Sequence, residues 1–328
     1  MKIGLVGFAG SGKTTVFNTM TGLDVPVGFG GEVRIGTVRV PDERIDRLRE
    51  IFKPKKTTYA EMSFCDVPGE HGAEKKGLSP KTLQQIRDQE ALCLVLRDFD
   101  NPALEGKPNP LSDLEAFHTE CVFADLEIVD KRLQRAKKEQ ASPAEVGSFQ
   151  VAHAALEAER PLRSIPEAEL DRGHFKGYGL LTDRPLLVAV NVGEDRAAAP
   201  LPPDLERRIK ELEAAGLILC ASVEGHIATK GAEERAGFLR GRGRARTMDR
   251  RHQFARGVHV AAKSQHHVEK DHGGLRVFRL PADALGAQAV VDHRVRSPAS
   301  EHVVSEIYQR VLSALPDVRK LGGSARGS

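Results

Sequence analysis

Eight residues near the amino end carry the clearest chemistry. Gly7-Phe8-Ala9-Gly10-Ser11-Gly12-Lys13-Thr14 fits GxxxxGK[ST] at every fixed position. Glycines at this spacing let backbone N–H groups curl round the β- and γ-phosphates of a nucleotide, and a following helix adds its positive dipole end. An ammonium at Lys13 neutralises those phosphates, and a hydroxyl at Thr14 ligates Mg²⁺. The run therefore predicts a phosphate site made by Ala9, Gly10, Ser11, Gly12, Lys13, Thr14 and Thr15, with Lys13 also assisting phosphoryl transfer. The competing reading is a Gly-rich turn with a stray lysine. The strand-like residues before the loop and the helix-like residues after it speak against that.

Two further clusters fit the same chemistry. Asp66-Val67-Pro68-Gly69 follows a strand-like run, about fifty residues on from the loop. Asp66 is placed to hold a Mg²⁺ shell with Thr14, and the Gly69 N–H to reach a γ-phosphate. DxxG alone is usually just a turn. Asn191-Val192-Gly193-Glu194 follows an apolar strand, where an amide or carboxylate can read a base. Asn191, Val192 and Glu194 are the candidates, joined by Ala221 and Ser222 after the next strand. GTPases use NKxD at this point, its Asp accepting from N1–H and the exocyclic amine of guanine. NxxE without the Lys and Asp loosens that code, so ATP and GTP both stay open as ligands.

The elements that must position these groups are legible too. Lys2 to Val6, Tyr59 to Phe64, Ala91 to Leu96, Leu186 to Val190 and Leu217 to Ala221 read as strands, and Glu32 to Val40 as a half-exposed one. Short apolar runs separated by helices predict an α/β fold with a mostly parallel sheet and helices on both faces, and the GxxxxGK[ST] loop between its first strand and helix makes it a P-loop NTPase. Asp42 is placed to cap a helix bearing Ile45, Leu48 and Phe52. Ser112 is read as the cap of a long helix with Leu114, Phe117, Cys121, Ala124 and Ile128 on one stripe. After Ser142-Pro143 the stripe resumes at Val146, Phe149, His153 and Leu156, which makes an antiparallel helical hairpin. The expected organisation is an NTPase domain at 1–111 and 178–238, a hairpin insertion at 112–177 and a tail at 239–328.

Composition bounds the rest. Hydrophobic content of 40% and charge of 29% exclude a wholly disordered chain. No stretch nears the ~20 apolar residues of a membrane helix. Met1 to Gly7 shows no secretory leader, and Cys65, Cys93, Cys121 and Cys220 form no CxxC pair. A cytoplasmic protein with reduced, buried thiols is expected. The overall charge of +3 is uneven: residues 239–328 carry 17 Lys and Arg against 8 Asp and Glu, together with 7 of the 12 histidines. Lys131, Arg132, Arg135, Lys137 and Lys138 make a basic cluster near the hairpin tip, which read by itself is a solvated face.

Taken in order, these residues resemble the Obg-like ATPase (YchF) family of translation-factor-related P-loop NTPases. The resemblance adds Val40-Pro41-Asp42-Glu43-Arg44, Phe52-Lys53-Pro54, Gly77-Leu78-Ser79, Gln85-Ile86-Arg87, Val95-Leu96-Arg97-Asp98-Phe99, Asp113-Leu114-Glu115 and Ala124-Asp125-Leu126-Glu127 to the motifs above. It covers about residues 1–238. It implies hydrolysis of ATP, often in preference to GTP, with Mg²⁺, and association with ribosomes, for which Lys131, Arg132, Arg135, Lys137 and Lys138 at the hairpin tip are either a contact for ribosomal RNA or only a solvated face. A nucleotide-dependent binding switch with negligible hydrolysis and a true GTPase are the alternatives.

The chain departs from the family pattern in four places. The usual Asn-Val before GK is Gly10-Ser11. The Mg²⁺-binding threonine of the first switch should fall at Gly30 or Gly31, leaving Thr37 as the nearest hydroxyl. Glu70 follows DxxG where the family has an apolar residue. The family's small C-terminal β-grasp (TGS) domain is not recognisable after Leu239. Three readings of the tail are open: a shifted reading frame, a basic RNA-binding tail, or a divergent small domain built on Val303 to Leu315.

Overall fold

The computed structural model describes residues 1–27, 33–40, 42–68 and 78–229, together with the strand backbones at 267–271 and 274–278. The chain divides into two compact units, Met1–Val38 with Met62–His226, and Arg39–Glu61 with Ile227–Ser328.

The first unit is built on a six-stranded sheet. Its strands are β1 (Lys2–Val6), β2 (Arg34–Arg39), β3 (Glu61–Asp66), β4 (Ala91–Asp98), β5 (Leu186–Val192) and β6 (Ala215–Leu219), in the spatial order β2-β3-β1-β4-β5-β6. The β1–β3, β1–β4, β4–β5 and β5–β6 pairs are parallel. Every residue of β5 and the first six of β4 are buried, as expected of strands covered on both faces. β2 at the edge alternates exposed and buried residues. The α/β P-loop NTPase fold anticipated from the apolar runs together with the Gly7–Thr14 loop is the fold observed.

Parallel topology brings the carboxyl ends of β1, β3, β4 and β5 to one edge of the sheet. The phosphate loop, Asp66, Asp98 and Asn191 all lie there. Helix α1 (Lys13–Thr21) starts straight out of the loop, with Gly12 at φ 91 as its N-cap and Gly22 at φ 69 ending it. Only residues without a Cβ adopt that left-handed backbone at little cost.

Two long helices form the insertion: α4 (Pro110–Glu139) and α5 (Pro143–Glu157). The start of α4 differs from expectation. Asn109, not Ser112, is the cap; its side chain accepts from Ser112 N, and Pro110 occupies the first turn, where its missing N–H costs nothing. Ser142 caps α5 by accepting from Glu145 N. Val122, Phe149, Ala152, Leu156, Leu162 and Phe175 are among the residues of the insertion's own core, and Phe149 meets Phe175 and Tyr178 edge-to-face at 5.1 Å. The buried stripe also shifts. Leu114, Phe117 and Cys121 are buried as expected and Ile128 packs, partly buried, on this core, but Val122, Asp125 and Val129 are the fully buried positions beyond them, Ala124 is half-buried, and His153 is half-exposed between Asp130 and Glu157. A stripe counted on apolar residues alone steps over the carboxylate at Asp125.

Helix α3 (Pro80–Arg87) is capped by Ser79, and α6 (Pro203–Glu211) precedes β6. β6 ends at Leu219, two residues earlier than the sequence suggested, and α7 (Ala221–Thr229) begins at Ala221. All four cysteines are free and buried; burial pushes the Cys65 thiol up to about 11 and that of Cys93 to about 12. Among the described residues no helix is long and apolar enough to cross a membrane.

In the second unit, α2 (Glu43–Phe52) is capped by Asp42, which accepts from Arg44 N. Phe52, expected on its apolar face, is exposed. Strands β7 (His267–Asp271) and β8 (Gly274–Phe278) pair antiparallel. The rest of the basic tail, including Val303 to Leu315, lies outside the described residues, as do Gly30, Gly31, Gly69 and Glu70.

Candidate nucleotide site

The site grows from the loop between β1 and α1. Gly7, Gly10 and Gly12 all have positive φ, at 137°, 75° and 91°. A Cβ on Gly7 would lie 2.5 Å from the Val95 carbonyl oxygen, and one on Gly12 would lie 2.3 Å from Asn191 Nδ2. Space as well as backbone conformation thus requires glycine here. The loop's own groups hold it wound: Ser11 N donates to the Phe8 carbonyl at 3.3 Å, and Lys13 Nζ donates to the carbonyls of Gly7 at 2.8 Å and Phe8 at 2.9 Å. Lys13 is buried, and burial pulls its ammonium down to about 8, against the opposing pull of the Asp66 carboxylate. An anionic ligand in the loop would supply the charge partner this ammonium has too little of.

Thr14 and Asp66 meet across the sheet edge. Thr14 Oγ1 donates to Asp66 Oδ2 at 2.9 Å. Asp66 is 4% exposed, and its Oδ1 is buried without a hydrogen-bond partner among the described residues. Burial pushes this carboxyl up, while the Thr14 hydroxyl, Lys13 and Arg34 hold it back. A hydroxyl and an unsatisfied carboxylate oxygen side by side are hard oxygen donors of the kind Mg²⁺ takes, so these residues fit the ion. Thr37 lies on β2 with its hydroxyl 3.1 Å from that of Ser63, on the neighbouring strand.

Asn191, near the end of β5, bonds to two other segments. Its Nδ2 donates to the Ser11 carbonyl at 3.0 Å and its Oδ1 accepts from Ala221 N at 3.0 Å. One buried amide therefore ties the phosphate loop to the start of α7. Val192 is buried at the end of β5, and Glu194 is exposed at the head of a short 3₁₀ turn. Ser222 sits in the first turn of α7, its hydroxyl 3.2 Å from Cys220 Sγ. Ala9, Gly10 and Thr15 lie in or beside the loop, so among the described residues the sequence-predicted groups gather at one edge. The Gly69 N–H lies outside the described residues.

Comparison with known proteins gives the family and the fold. A family model described as 50S ribosome-binding GTPase matches residues 2–138. A curated "Ribosome-binding ATPase YchF" of Bacillus subtilis (strain 168) is 34% identical over 254 residues, which is 72% of this chain and 69% of the relative. The chain belongs to the YchF family. A relative of the same name from Escherichia coli O157:H7 is 32% identical over 253 residues, covering 73% of this chain and 70% of its own. A solved structure titled as the Schizosaccharomyces pombe YchF GTPase superposes with a TM-score of 0.63 at 22% identity, covering 85% of this chain and 80% of that one. It shares the fold.

Two residues beside this site in the YchF-family chain were given no role by sequence reasoning. Asp98, at the end of β4, accepts from Arg196 Nη1 at 2.6 Å. Asn101 donates to the Gly10 carbonyl at 3.3 Å. Asp98 stands in the Val95–Phe99 stretch of the family pattern, which assigns it no role, and Asn101 stands in no recognisable motif. The one hint was their position just after an apolar strand, at the edge where ligands of open α/β sheets bind.

Proposed function

We propose that this chain binds a purine nucleoside triphosphate and hydrolyses it, ATP in preference to GTP, as a ribosome-associated regulatory NTPase of the cytoplasm. The observation that carries the reading is the Thr14–Asp66 pair with its unsatisfied carboxylate oxygen, set beside the charge-starved Lys13 at the mouth of the phosphate loop. The amides from Ala9 to Thr15 cradle the phosphates, and Lys13 neutralises charge that grows on them during transfer. Thr14 and Asp66 would hold Mg²⁺, which neutralises phosphate charge when bound. Gly69 N–H is assigned to the γ-phosphate. Asn191, Val192, Glu194, Ala221 and Ser222 are assigned to the base side, where the missing Lys and Asp of NKxD favour ATP. The oxygen of a water forms the new bond to the γ-phosphorus as the bond to the β,γ-bridging oxygen breaks, releasing the diphosphate and inorganic phosphate. No side chain is assigned as general base.

The domain reading of 1–111 with 178–238, and an arm at 112–177, gives the arm the outward contact. The ion pairs Lys131–Glu127, Arg132–Glu139 and Arg132–Glu145 occupy two of the tip cations internally. Arg135, Lys137 and Lys138 are exposed and unpaired among the described residues, and we assign these three to ribosomal RNA phosphates.

A second reading is a binding switch with negligible hydrolysis, favoured by Gly30 and Gly31 where the family pattern has its switch threonine. Affinities for ATP and GTP with and without Mg²⁺, followed by multiple-turnover phosphate release, separate the readings. ATP binding that tightens with Mg²⁺ and continuing release support the ATPase. Binding without release supports the switch, and no binding at millimolar nucleotide refutes both.

A further inference from the structure

The residues following β4 run between the phosphate loop and the Asn191–Glu194 loop and touch both. On the base side, Asp98, its side chain 11% exposed, accepts from Arg196 at 2.6 Å. A Cβ on Gly193 would lie 4.0 Å from Phe99 Cβ. On the phosphate side, Asn101 Nδ2 donates to the Gly10 carbonyl at 3.3 Å, and a Cβ on Gly10 would lie 2.5 Å from Leu104 Cδ1 and 3.1 Å from Asn101 Nδ2. Leu104 thus occupies the space that any side chain at position 10 would need.

The orientation of Asn101 is fixed from its own turn. Its Oδ1 accepts from Ala103 N at 3.1 Å, and its backbone carbonyl accepts from Leu104 N at 3.0 Å. With the acceptor end of the amide tied into that turn, the donor end faces the phosphate loop. A trans peptide is planar, so the Ser11 N–H points opposite to the Gly10 carbonyl. Holding the carbonyl from outside therefore aims that N–H into the loop, where it meets the Phe8 carbonyl at 3.3 Å.

We infer that Asn101 is a positioning residue for nucleotide binding: its amide holds the Gly10–Ser11 peptide with the Ser11 N–H closed on the Phe8 carbonyl, so that the loop keeps the winding that cradles phosphates, while Asp98 anchors the same segment to the base-side loop. The inference rests on the reading that the loop binds a nucleoside triphosphate. It also accounts for glycine at position 10, where the family pattern has asparagine: Leu104 and Asn101 stand where a larger residue would stand.

The test uses the full chain with Asn101→Ser and Asn101→Ala. Serine keeps an acceptor for Ala103 N but is too short to reach Gly10, and alanine keeps neither bond. Dissociation constants for Mg²⁺–ATP and Mg²⁺–GTP, KM and kcat, and the urea midpoint of the nucleotide-free protein are measured. Asn101→Ser is expected to raise both dissociation constants about fivefold, the worth of one neutral hydrogen bond. KM should rise with them, kcat should stay within about twofold, and the urea midpoint should not move. Unchanged affinity in both variants overturns the inference. So does weakened binding that appears only with alanine and only with a lowered urea midpoint, since that is the behaviour of a structural turn. Failure of the wild-type chain to bind either nucleotide overturns the function proposed above as well, and differs visibly from wild type and variants binding alike.

Discussion

Replacing Asp125 by alanine tests how the helical insertion is fastened to the sheet. Asp125 lies on α4 and is fully buried. Its Oδ1 accepts from Leu181 N at 2.9 Å and from Arg87 Nη1 at 3.1 Å; its Oδ2 accepts from Thr182 N at 2.7 Å and Thr182 Oγ1 at 2.8 Å. Burial pushes the carboxyl up, while the Thr182 and Leu181 amides, the Thr182 hydroxyl and Arg87 pull against it. One side chain thus joins α4, the end of α3 and the segment leading into β5, the strand that carries Asn191. Breaking a buried ion pair by removing one partner costs about 3–5 kcal/mol. Arg87 would keep the carbonyls of Gly179 at 2.9 Å and Ala124 at 3.0 Å, so its charge is not abandoned. That places Asp125→Ala near the lower end, about 3 kcal/mol, with most of the loss in the three stranded neutral donors.

Against a total stability of about 5–15 kcal/mol this is large, and it appears as a lower urea midpoint with the slope retained. Amide exchange localises it. Leu181 and Thr182 should exchange faster in the variant, well ahead of residues in β4. Asp125→Asn should fall between wild type and alanine, because it turns an NH₂ toward at least one of those donors. An unchanged urea midpoint, with Leu181 and Thr182 still protected, would show that these hydrogen bonds do not fasten the insertion.

Thr14→Ala removes the hydroxyl that donates to Asp66 and is expected to abolish most of the Mg²⁺-dependent gain in nucleotide affinity, while Mg²⁺-free binding changes little; titration with and without the ion checks this. A full Mg²⁺ effect in the variant would refute the assignment of Thr14. His118 predicts a pH dependence of stability. It is buried, and its Nε2–H donates to the Glu159 carbonyl at 2.9 Å. Burial lowers its pKa from 6.5, helped by Arg163 and Arg208 and opposed by the Glu159 bond and Glu115. The unfolded chain therefore binds this proton first, so stability is full above 6.5 and falls as the pH drops from there toward the folded value. The slope from this one group is at most about 1.4 kcal/mol per pH unit. Urea midpoints measured across that interval should flatten in His118→Gln, and an equal slope in the variant would assign the loss to other groups.

What could be read in advance follows from how each feature is encoded. The phosphate loop needs contiguous residue types, because amides, ammonium and hydroxyl must converge on one group of phosphates from a single turn. Gly7 to Thr14 therefore announced itself. Asp66 was found by strand context plus DxxG, and the unsatisfied Oδ1 then supplied the physical reason. Asn191 was half legible. Its place after an apolar strand suggested base recognition, but both ends of its amide are occupied, by the Ser11 carbonyl and Ala221 N. No local pattern encodes a bond spanning 180 residues.

The roles of Asp125 and Asn101 were illegible for opposite reasons, although Asp125 stands in the Ala124–Glu127 stretch of the family pattern. Asp125 sits inside a hydrophobic stripe, so a count of apolar positions passes over it and assigns the buried face to Ala124 and Ile128. The face in fact follows the ion pair, because a carboxylate with four donors is less costly to bury than one left facing a wrong partner. Asn101 stands in a polar, Pro-containing segment where asparagine is ordinary turn chemistry. Its turn bond to Ala103 was predictable in kind, but the Gly10 carbonyl lies 91 residues away, and only the parallel order of β1 and β4 makes them neighbours. The residues that bind are thus written locally, whereas the residues that hold the binders in place are written in the topology. That is why single substitutions at Asp125 and Asn101 test the fold's contribution to the site separately from its chemistry.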